Sequence, residues 1–370
     1  MTRLNHEVIS LSKCSGALVA GGITTNDQVG DRWMKIAYPT RLELARLPTP
    51  LEPLRRLSEE LDVELYVKRD DLTGLALSGN KVRKLEFVLA DALSQGADTV
   101  LTCGGAQSNH ARATAVAAAR LGIGCRLILR TPDPANPPPV EGNTLLDRLA
   151  GSEILWVSPG EYARRDEIFK QEASRIMKAG RRPYLIPEGA SNAIGAWGYI
   201  RAAEELAGDL SRLPGGLERP TTIIHATGSG GTGAGLILGS KMLGLNVRIA
   251  SINVCDDREH FVGVIGEICE EAMARYEMNL SFSRDRDVDI IDGYVGRGYA
   301  LSQPQELSLI HDVARKQGIF LDPVYTGKAF YGMTQELKRH PGCFGDRVVF
   351  LHTGGIFGLF PMASDMAPQL

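Results

Sequence analysis

Several short segments of this 370-residue chain gather side chains able to do chemistry. The first is Ser78-Gly79-Asn80-Lys81-Val82-Arg83-Lys84-Leu85-Glu86. Gly79 and Asn80 suit a sharp turn or a helix entry, which puts Lys81 in the first helical turn. The positive end of the helix dipole repels an ammonium there. That lowers the lysine pKa and favours the neutral amine needed for a Schiff base with a carbonyl. Read alone, Lys81 also fits an ordinary surface lysine at a basic helix start.

The second segment is Thr227-Gly228-Ser229-Gly230-Gly231-Thr232-Gly233, between a strand-like run and a helical run. Its glycines expose backbone N–H groups, its hydroxyls add donors, and the following helix N-terminus adds positive potential. Together they make a phosphate cup. The run lacks the lysine of a Walker A loop, which disfavours an NTPase. It can be matched to a dinucleotide fingerprint, Gly228-x-Gly230-x-x-Gly233, with Asp256 and Asp257 as the nearest ribose-binding acids. A glycine-rich turn that only permits tight helix–strand packing is the plainer alternative.

The third segment is Gly104-Gly105-Ala106-Gln107-Ser108-Asn109-His110. Ser108 or Asn109 can cap the alanine-rich helix that follows. The same turn can offer N–H groups and small polar side chains to a carboxylate. His110 is either a base or a packed or solvent-facing histidine. Two further segments, Leu321-Asp322-Pro323-Val324-Tyr325-Thr326-Gly327-Lys328 and Leu351-His352-Thr353-Gly354-Gly355, also follow strand-like runs, and each alone would serve as a turn.

The elements that hold these segments read as alternating strands and helices. Strands are expected at Glu64–Lys68, Thr99–Cys103, Arg126–Leu129, Ile154–Val157, Tyr184–Ile186, Thr222–Ala226, Arg248–Ile252, Ile319–Leu321 and Val348–His352. Most are continuous apolar runs, as in parallel strands buried on both faces. Helical segments include Lys81–Gln95, Ala111–Leu121, Arg165–Lys178 and Gly233–Leu243. Pro132–Pro139 reads as a surface loop. The pattern predicts an α/β fold with two lobes, each a mostly parallel twisted sheet flanked by helices. Sites in such proteins lie at strand C-terminal ends, often between lobes. Residues 1–35 show weak periodicity and read as an N-terminal extension.

Composition narrows the class. The chain is 44% hydrophobic and 23% charged, normal for a protein that buries a large core. A net charge of −3 argues against a dedicated nucleic-acid binder. Six scattered cysteines form no CxxC pair, so zinc-finger spacing is absent and no metal site is expected. Scattered thiols in a chain this long fit a reduced, cytoplasmic protein. No apolar run approaches the roughly 20 residues of a membrane span, and no secretory signal is evident.

Taken in order, GNKVRKLE, GGAQSNH, IPEGASNAIGAWGY (Ile186–Tyr199), TGSGGTGAG, DPVYTGKA and HTGG resemble the fold type II, tryptophan-synthase-β-like pyridoxal-phosphate enzymes. Within them the chain is similar to the group of D-cysteine desulfhydrase and 1-aminocyclopropane-1-carboxylate deaminase, from about residue 36 onward. The resemblance implies pyridoxal 5'-phosphate held by Lys81, with Lys84 and the loop Thr227, Gly228, Ser229, Gly230, Gly231 and Thr232 around its phosphate. It places Asn109 near the phenolic oxygen and Thr326 opposite the pyridine nitrogen. Ser108 and Tyr325 become catalytic candidates, and Gln107, Ser108, Asn109, Tyr299 and Tyr325 line the substrate. It also implies a cofactor-binding domain of 36–83 with 193–370, a small domain of 84–192, and a homodimer.

Thr326 leans the reading towards the desulfhydrase branch, because the deaminase branch carries glutamate there. A hydroxyl holds the ring nitrogen protonated less well than a carboxylate does, which suits β-elimination better than cyclopropane opening. The expected reaction releases pyruvate, ammonia and sulfide or another leaving group from a small β-substituted amino acid. Cysteate sulfo-lyase and 1-aminocyclopropane-1-carboxylate deaminase are the alternatives. A non-catalytic cofactor- or dinucleotide-binding protein is the alternative from another class. Glu188 and Arg297 depart from the expected pattern. Arg297 would recognise an anionic substituent such as a sulfonate if it faced the pocket, and is otherwise a solvent-facing loop residue.

Overall fold

Continuous apolar runs become strands with no exposed face. In the computed structural model, which describes residues 8–10, 19–21 and 36–369, every residue of Thr99–Gly105, Thr221–Thr227 and Arg347–Leu351 is buried. In chain order the strands are β1 (Val8–Ser10), β2 (Val19–Gly21), β3 (Arg41–Leu42), β4 (Leu51–Pro53), β5 (Glu64–Lys68), β6 (Thr99–Gly105) and β7 (Gly124–Arg130). They continue as β8 (Glu153–Val157), β9 (Pro183–Leu185), β10 (Thr221–Thr227), β11 (Val247–Asn253), β12 (Asp289–Ile291) and β13 (Arg347–Leu351).

A six-stranded sheet runs β12-β11-β10-β13-β5-β4, parallel except for the antiparallel edge pair β4–β5. A four-stranded, wholly parallel sheet runs β8-β7-β6-β9. The α/β fold with two mostly parallel sheets flanked by helices is the one the alternation predicts. A third sheet pairs β1 antiparallel with β2 and parallel with β3. Most of residues 1–35, and the extension expected there, lies outside the described residues.

The expected strand at Ile319–Leu321 does not form. Ile319 and Leu321 are buried, but the Phe320 carbonyl takes its hydrogen bond from His352 Nε2 at 3.1 Å instead of from a sheet neighbour. The segment is an extended link whose apolar residues pack into a core without pairing.

Three helices set the position of the lysine and glycine segments. The helices Asn80–Ser94, Trp197–Ser211 and Gly231–Met242 approach each other through glycines. A Cβ on Gly198 would stand 2.5 Å from the Arg83 backbone, and one on Gly235 would stand 2.3 Å from the Ala196 carbonyl. Behind Lys81 lies a buried polar network. The Arg83 guanidinium donates to Asp70 at 2.7 and 2.9 Å, to Glu205 at 2.7 Å and to Thr49 at 3.0 Å. Lys68 adds bonds to Glu205 at 2.8 Å and Asp209 at 2.6 Å, and Tyr199 donates to Asp70 at 2.5 Å. With several partners each, these buried charges meet the condition for tolerating low dielectric.

Candidate active site

The lysine segment, the glycine loop and the residues after β6 and β13 meet at one cleft. Asn80, Lys81, Asn109, Thr227–Gly230, Thr232, Tyr325, Thr353 and Gly354 line it. The site lies at the C-terminal ends of β6, β10 and β13, where parallel strands direct their loops.

Lys81 is fixed by its neighbours. Gly79 has φ of +93°, and a Cβ there would stand 2.7 Å from the Thr353 carbonyl oxygen, so glycine is required on both counts. That carbonyl accepts the Asn80 N–H at 3.1 Å, and the Asp70 carbonyl accepts the Gly79 N–H at 3.1 Å. Arg112 holds the approach to the helix, donating to the carbonyls of Ala76 at 2.6 Å and Ser78 at 3.1 Å. Asn80 Nδ2 donates to Thr232 Oγ1 at 3.1 Å and ties the lysine turn to the glycine loop.

Lys81 begins its helix, as the sequence implies, but burial is what depresses its pKa most. Desolvation brings the ammonium down to about 8, against the opposing charge of Glu188. Lys84, one turn on, is held well below the usual lysine range by burial and then by Lys81. Its Nζ donates to Ser191 Oγ at 3.2 Å and the Gly189 carbonyl at 3.3 Å.

Ser191 completes a cup the sequence only partly revealed. Its hydroxyl donates to Ser229 Oγ at 2.9 Å and accepts from the Gly231 N–H at 3.2 Å, at the start of the helix Gly231–Met242. Gly189 has φ of +69°, and a Cβ there would lie 2.3 Å from Ser229 Oγ. The only earlier sign of Ser191 was its place in Pro187-Glu188-Gly189-Ala190-Ser191-Asn192.

Ser108 caps the helix Asn109–Leu121, accepting from the Ala111 N–H at 3.1 Å. Among the described residues its own hydroxyl hydrogen has no acceptor, although Ser108 lies just behind the cleft lining, next to Asn109. Asn109 Oδ1 accepts from Asn143 Nδ2 at 3.0 Å. Gln107 is not brought to the cleft lining. Its amide accepts from the Asn143 N–H at 2.8 Å and donates to the Glu141 carbonyl at 3.1 Å. His110 is a packed histidine, with Nε2 at 2.7 Å from Thr102 Oγ1 and its pKa well below the usual range through burial.

Tyr325 precedes the helix Thr326–Arg339, and its hydroxyl lies 2.7 Å from that of Tyr299. Burial raises both, Tyr299 to about 12. Thr326 Oγ1 donates to Asp322 Oδ1 and accepts from the Asp322 N–H, each at 2.7 Å. Arg297 is exposed. Asp257, a candidate ribose acid, caps the helix Arg258–Arg275 by accepting from the His260 N–H at 2.8 Å.

A lysine with a depressed pKa beside a cup of ammonium, hydroxyl and helix N–H groups suits an aldehyde that carries a phosphate. The cup is shaped for such a guest, since a Cβ on Gly189 or Gly231 would strike its serine hydroxyls. The chain belongs to the pyridoxal-phosphate dependent enzyme family, whose model matches residues 42–354. It is 44% identical to a putative 1-aminocyclopropane-1-carboxylate deaminase of Thermotoga maritima, over 86% of this chain and 97% of that protein. It is 40% identical to the bifunctional D-cysteine desulfhydrase/1-aminocyclopropane-1-carboxylate deaminase, mitochondrial, of Arabidopsis thaliana, over 97% of this chain and 89% of that one. The latter likeness reaches beyond residue 36 into the N-terminal residues. The crystal structure of an ACC deaminase homologue superposes with a TM-score of 0.81 at 36% identity, covering 89% of this chain and 96% of that one.

The glycine at 189 gives a first expectation. Gly189→Ala forces either a strained backbone or a displaced Ser229. Pyridoxal phosphate should then bind on the order of tenfold more weakly. Titration of the apoenzyme, followed by visible absorbance, measures this. An unchanged affinity would remove Ser229 from the phosphate cup.

Proposed function

We propose that the protein catalyses α,β-elimination on a small β-substituted amino acid, with D-cysteine the first substrate, giving pyruvate, ammonia and sulfide. The observation that carries this reading is Thr326. Its hydroxyl is engaged by Asp322, donating to Oδ1 and accepting from the N–H, so this position presents a neutral hydroxyl with no carboxylate charge of its own. A carboxylate at that position would favour a protonated ring far more strongly.

In this reading Lys81 holds the cofactor, and Lys84, Ser191 and Thr227–Thr232 hold its phosphate. Asn109 lies towards the phenolic oxygen. Pyridoxal phosphate, when bound, draws electrons from the α-carbon of an amino acid joined to it. Lys81 Nζ, as a free amine, would be the base that takes the α-proton, since a pKa near 8 leaves a useful fraction neutral. Ser108 donates its free hydroxyl hydrogen to the substrate carboxylate. Tyr325 and Tyr299, joined through their hydroxyls, stand over the β-substituent. Gln107 acts at one remove, fastening the turn that carries Ser108 and Asn109.

The names of the relatives favour a second reading, ring-opening deamination of 1-aminocyclopropane-1-carboxylate. A panel of D- and L-cysteine, serine, 3-chloroalanine, cysteate and the cyclopropane substrate separates the two. Pyruvate and ammonia from the β-substituted set support elimination. Release of 2-oxobutanoate with no pyruvate would defeat it in favour of deamination.

Division into 36–83 with 193–370 and 84–192 belongs to this reading, supported by the separate sheets those segments build. So do a cytoplasmic location, supported by the free thiols of Cys103, Cys125, Cys255, Cys269 and Cys343, and a homodimer, to be measured by light scattering. Among the described residues no helix is long and apolar enough to cross a membrane.

A further inference from the structure

The small sheet delivers a second polar group to the site. Arg130 is the last residue of β7, and Tyr162 ends the short helix after β8. The Arg130 guanidinium lies over the Tyr162 ring at 5.0 Å and over the Tyr299 ring at 5.4 Å. Two aromatic faces therefore fix its plane and leave its N–H edge to act. Among the described residues that edge donates no hydrogen bond and lies within 4.0 Å of no carboxylate oxygen.

Two further observations tie this cation to the cleft. The Tyr299 ring packs over Gly105, where a Cβ would lie 3.3 Å from it, just ahead of the Ser108 turn. Its hydroxyl meets that of Tyr325. The Tyr162 hydroxyl is also buried, in a residue only 4% exposed, and it interacts with the Cys103 thiol and the Glu188 carboxylate. Guanidinium N–H groups are strong donors, so one held between two rings with no partner among the described residues is available to a polar guest.

The geometry points to Arg130 as a specificity-determining residue, which receives the β-substituent of the substrate and selects groups that carry or develop negative charge, such as a sulfonate or a departing thiolate. This rests on the elimination reading above and names the part of the substrate that site reads. It also moves anion recognition from Arg297, which faces solvent, to a half-buried arginine packed on Tyr299, whose hydroxyl meets that of the cleft residue Tyr325. Glu188 sets the limit of the preference. It follows β9 on the same rim, and its charge is felt at Tyr162, Tyr299, Tyr325 and Lys81. It opposes an anionic substituent, so Arg130 and Glu188 together set how much charge is accepted.

The test compares holoenzymes of wild type, Arg130→Met, Arg130→Lys and Glu188→Gln. Each is titrated with cysteate and with serine, and binding is read from the cofactor's visible absorbance. Wild type should prefer cysteate. Arg130→Met should lower the cysteate-to-serine ratio on the order of 10- to 100-fold, and Arg130→Lys should lower it less. Glu188→Gln should raise it. A ratio unchanged in Arg130→Met, or a wild type that binds serine as tightly as cysteate, would overturn the assignment. The ratio is read on the folded, coloured fraction, so partial loss of folding does not mask it. Failure of wild type to release pyruvate from any substrate would sink the elimination reading, while the binding ratio would still decide the role of Arg130.

Discussion

Lys81→Ala should abolish turnover, with a fall of at least about a thousandfold, because in the proposed mechanism one amine both holds the cofactor and moves the α-proton. The protein should also lose the yellow colour that borohydride bleaches. Retention of both the bleachable colour and pyruvate release would remove Lys81 from the mechanism. The same amine sets a pH dependence. Its neutral fraction grows as pH rises through about 8, so apoenzyme should take up pyridoxal phosphate faster across that range. Glu188 favours the charged form, and Glu188→Gln should move the midpoint below 8. An upward shift would show that the carboxylate does not act on Lys81.

Arg83→Met should cost about 3–5 kcal/mol of stability, as removal of one member of a buried ion pair does. It leaves Asp70 and Glu205 without their guanidinium in a setting where Arg83 is 1% exposed. Urea unfolding followed by circular dichroism measures the loss, and a change below about 1 kcal/mol would show that the network relaxes freely. The acid side of the stability curve carries the same signature. Burial alone would raise Glu205, yet Arg83 and Lys68 overcome it and hold the carboxyl at about 2. Its folded pKa lies below the ordinary 4.5, so its contribution is full above 4.5 and is lost as pH falls towards 2.

The parallel strands were legible because burial on both faces leaves a continuous apolar run, as in Thr222–Ala226 within β10 and Val348–Leu351 within β13. β4 and β12 left no such trace. Each has three residues, and β4 ends in a proline. Ile319–Leu321 misled for the converse reason, since apolar residues can enter a core without a strand partner. In the site, motifs that follow a strand could be read locally, and most of their residues meet at the cleft. Ser191, Arg130 and Tyr162 could not be read that way. Ser191 gains its role from Lys84 and Ser229, and Arg130 from rings at 162 and 299, distant positions that only the fold brings together. The helix position of Lys81 predicts a depressed pKa, and the burial that chiefly produces it is a property of the folded chain.

β13 lies between β10 and β5, and the Thr353 carbonyl just beyond it fastens the turn before Lys81. The centre of the large sheet is therefore supplied by a strand synthesised after both of its neighbours. A nascent chain that has not yet delivered residues 347–353 holds β10 and β5 as two open edges, the surfaces most prone to wrong pairing. Its lysine segment also lacks the carbonyl that shapes it. Competence to take up the cofactor arrives with residues 347–353, in the same step that closes the sheet.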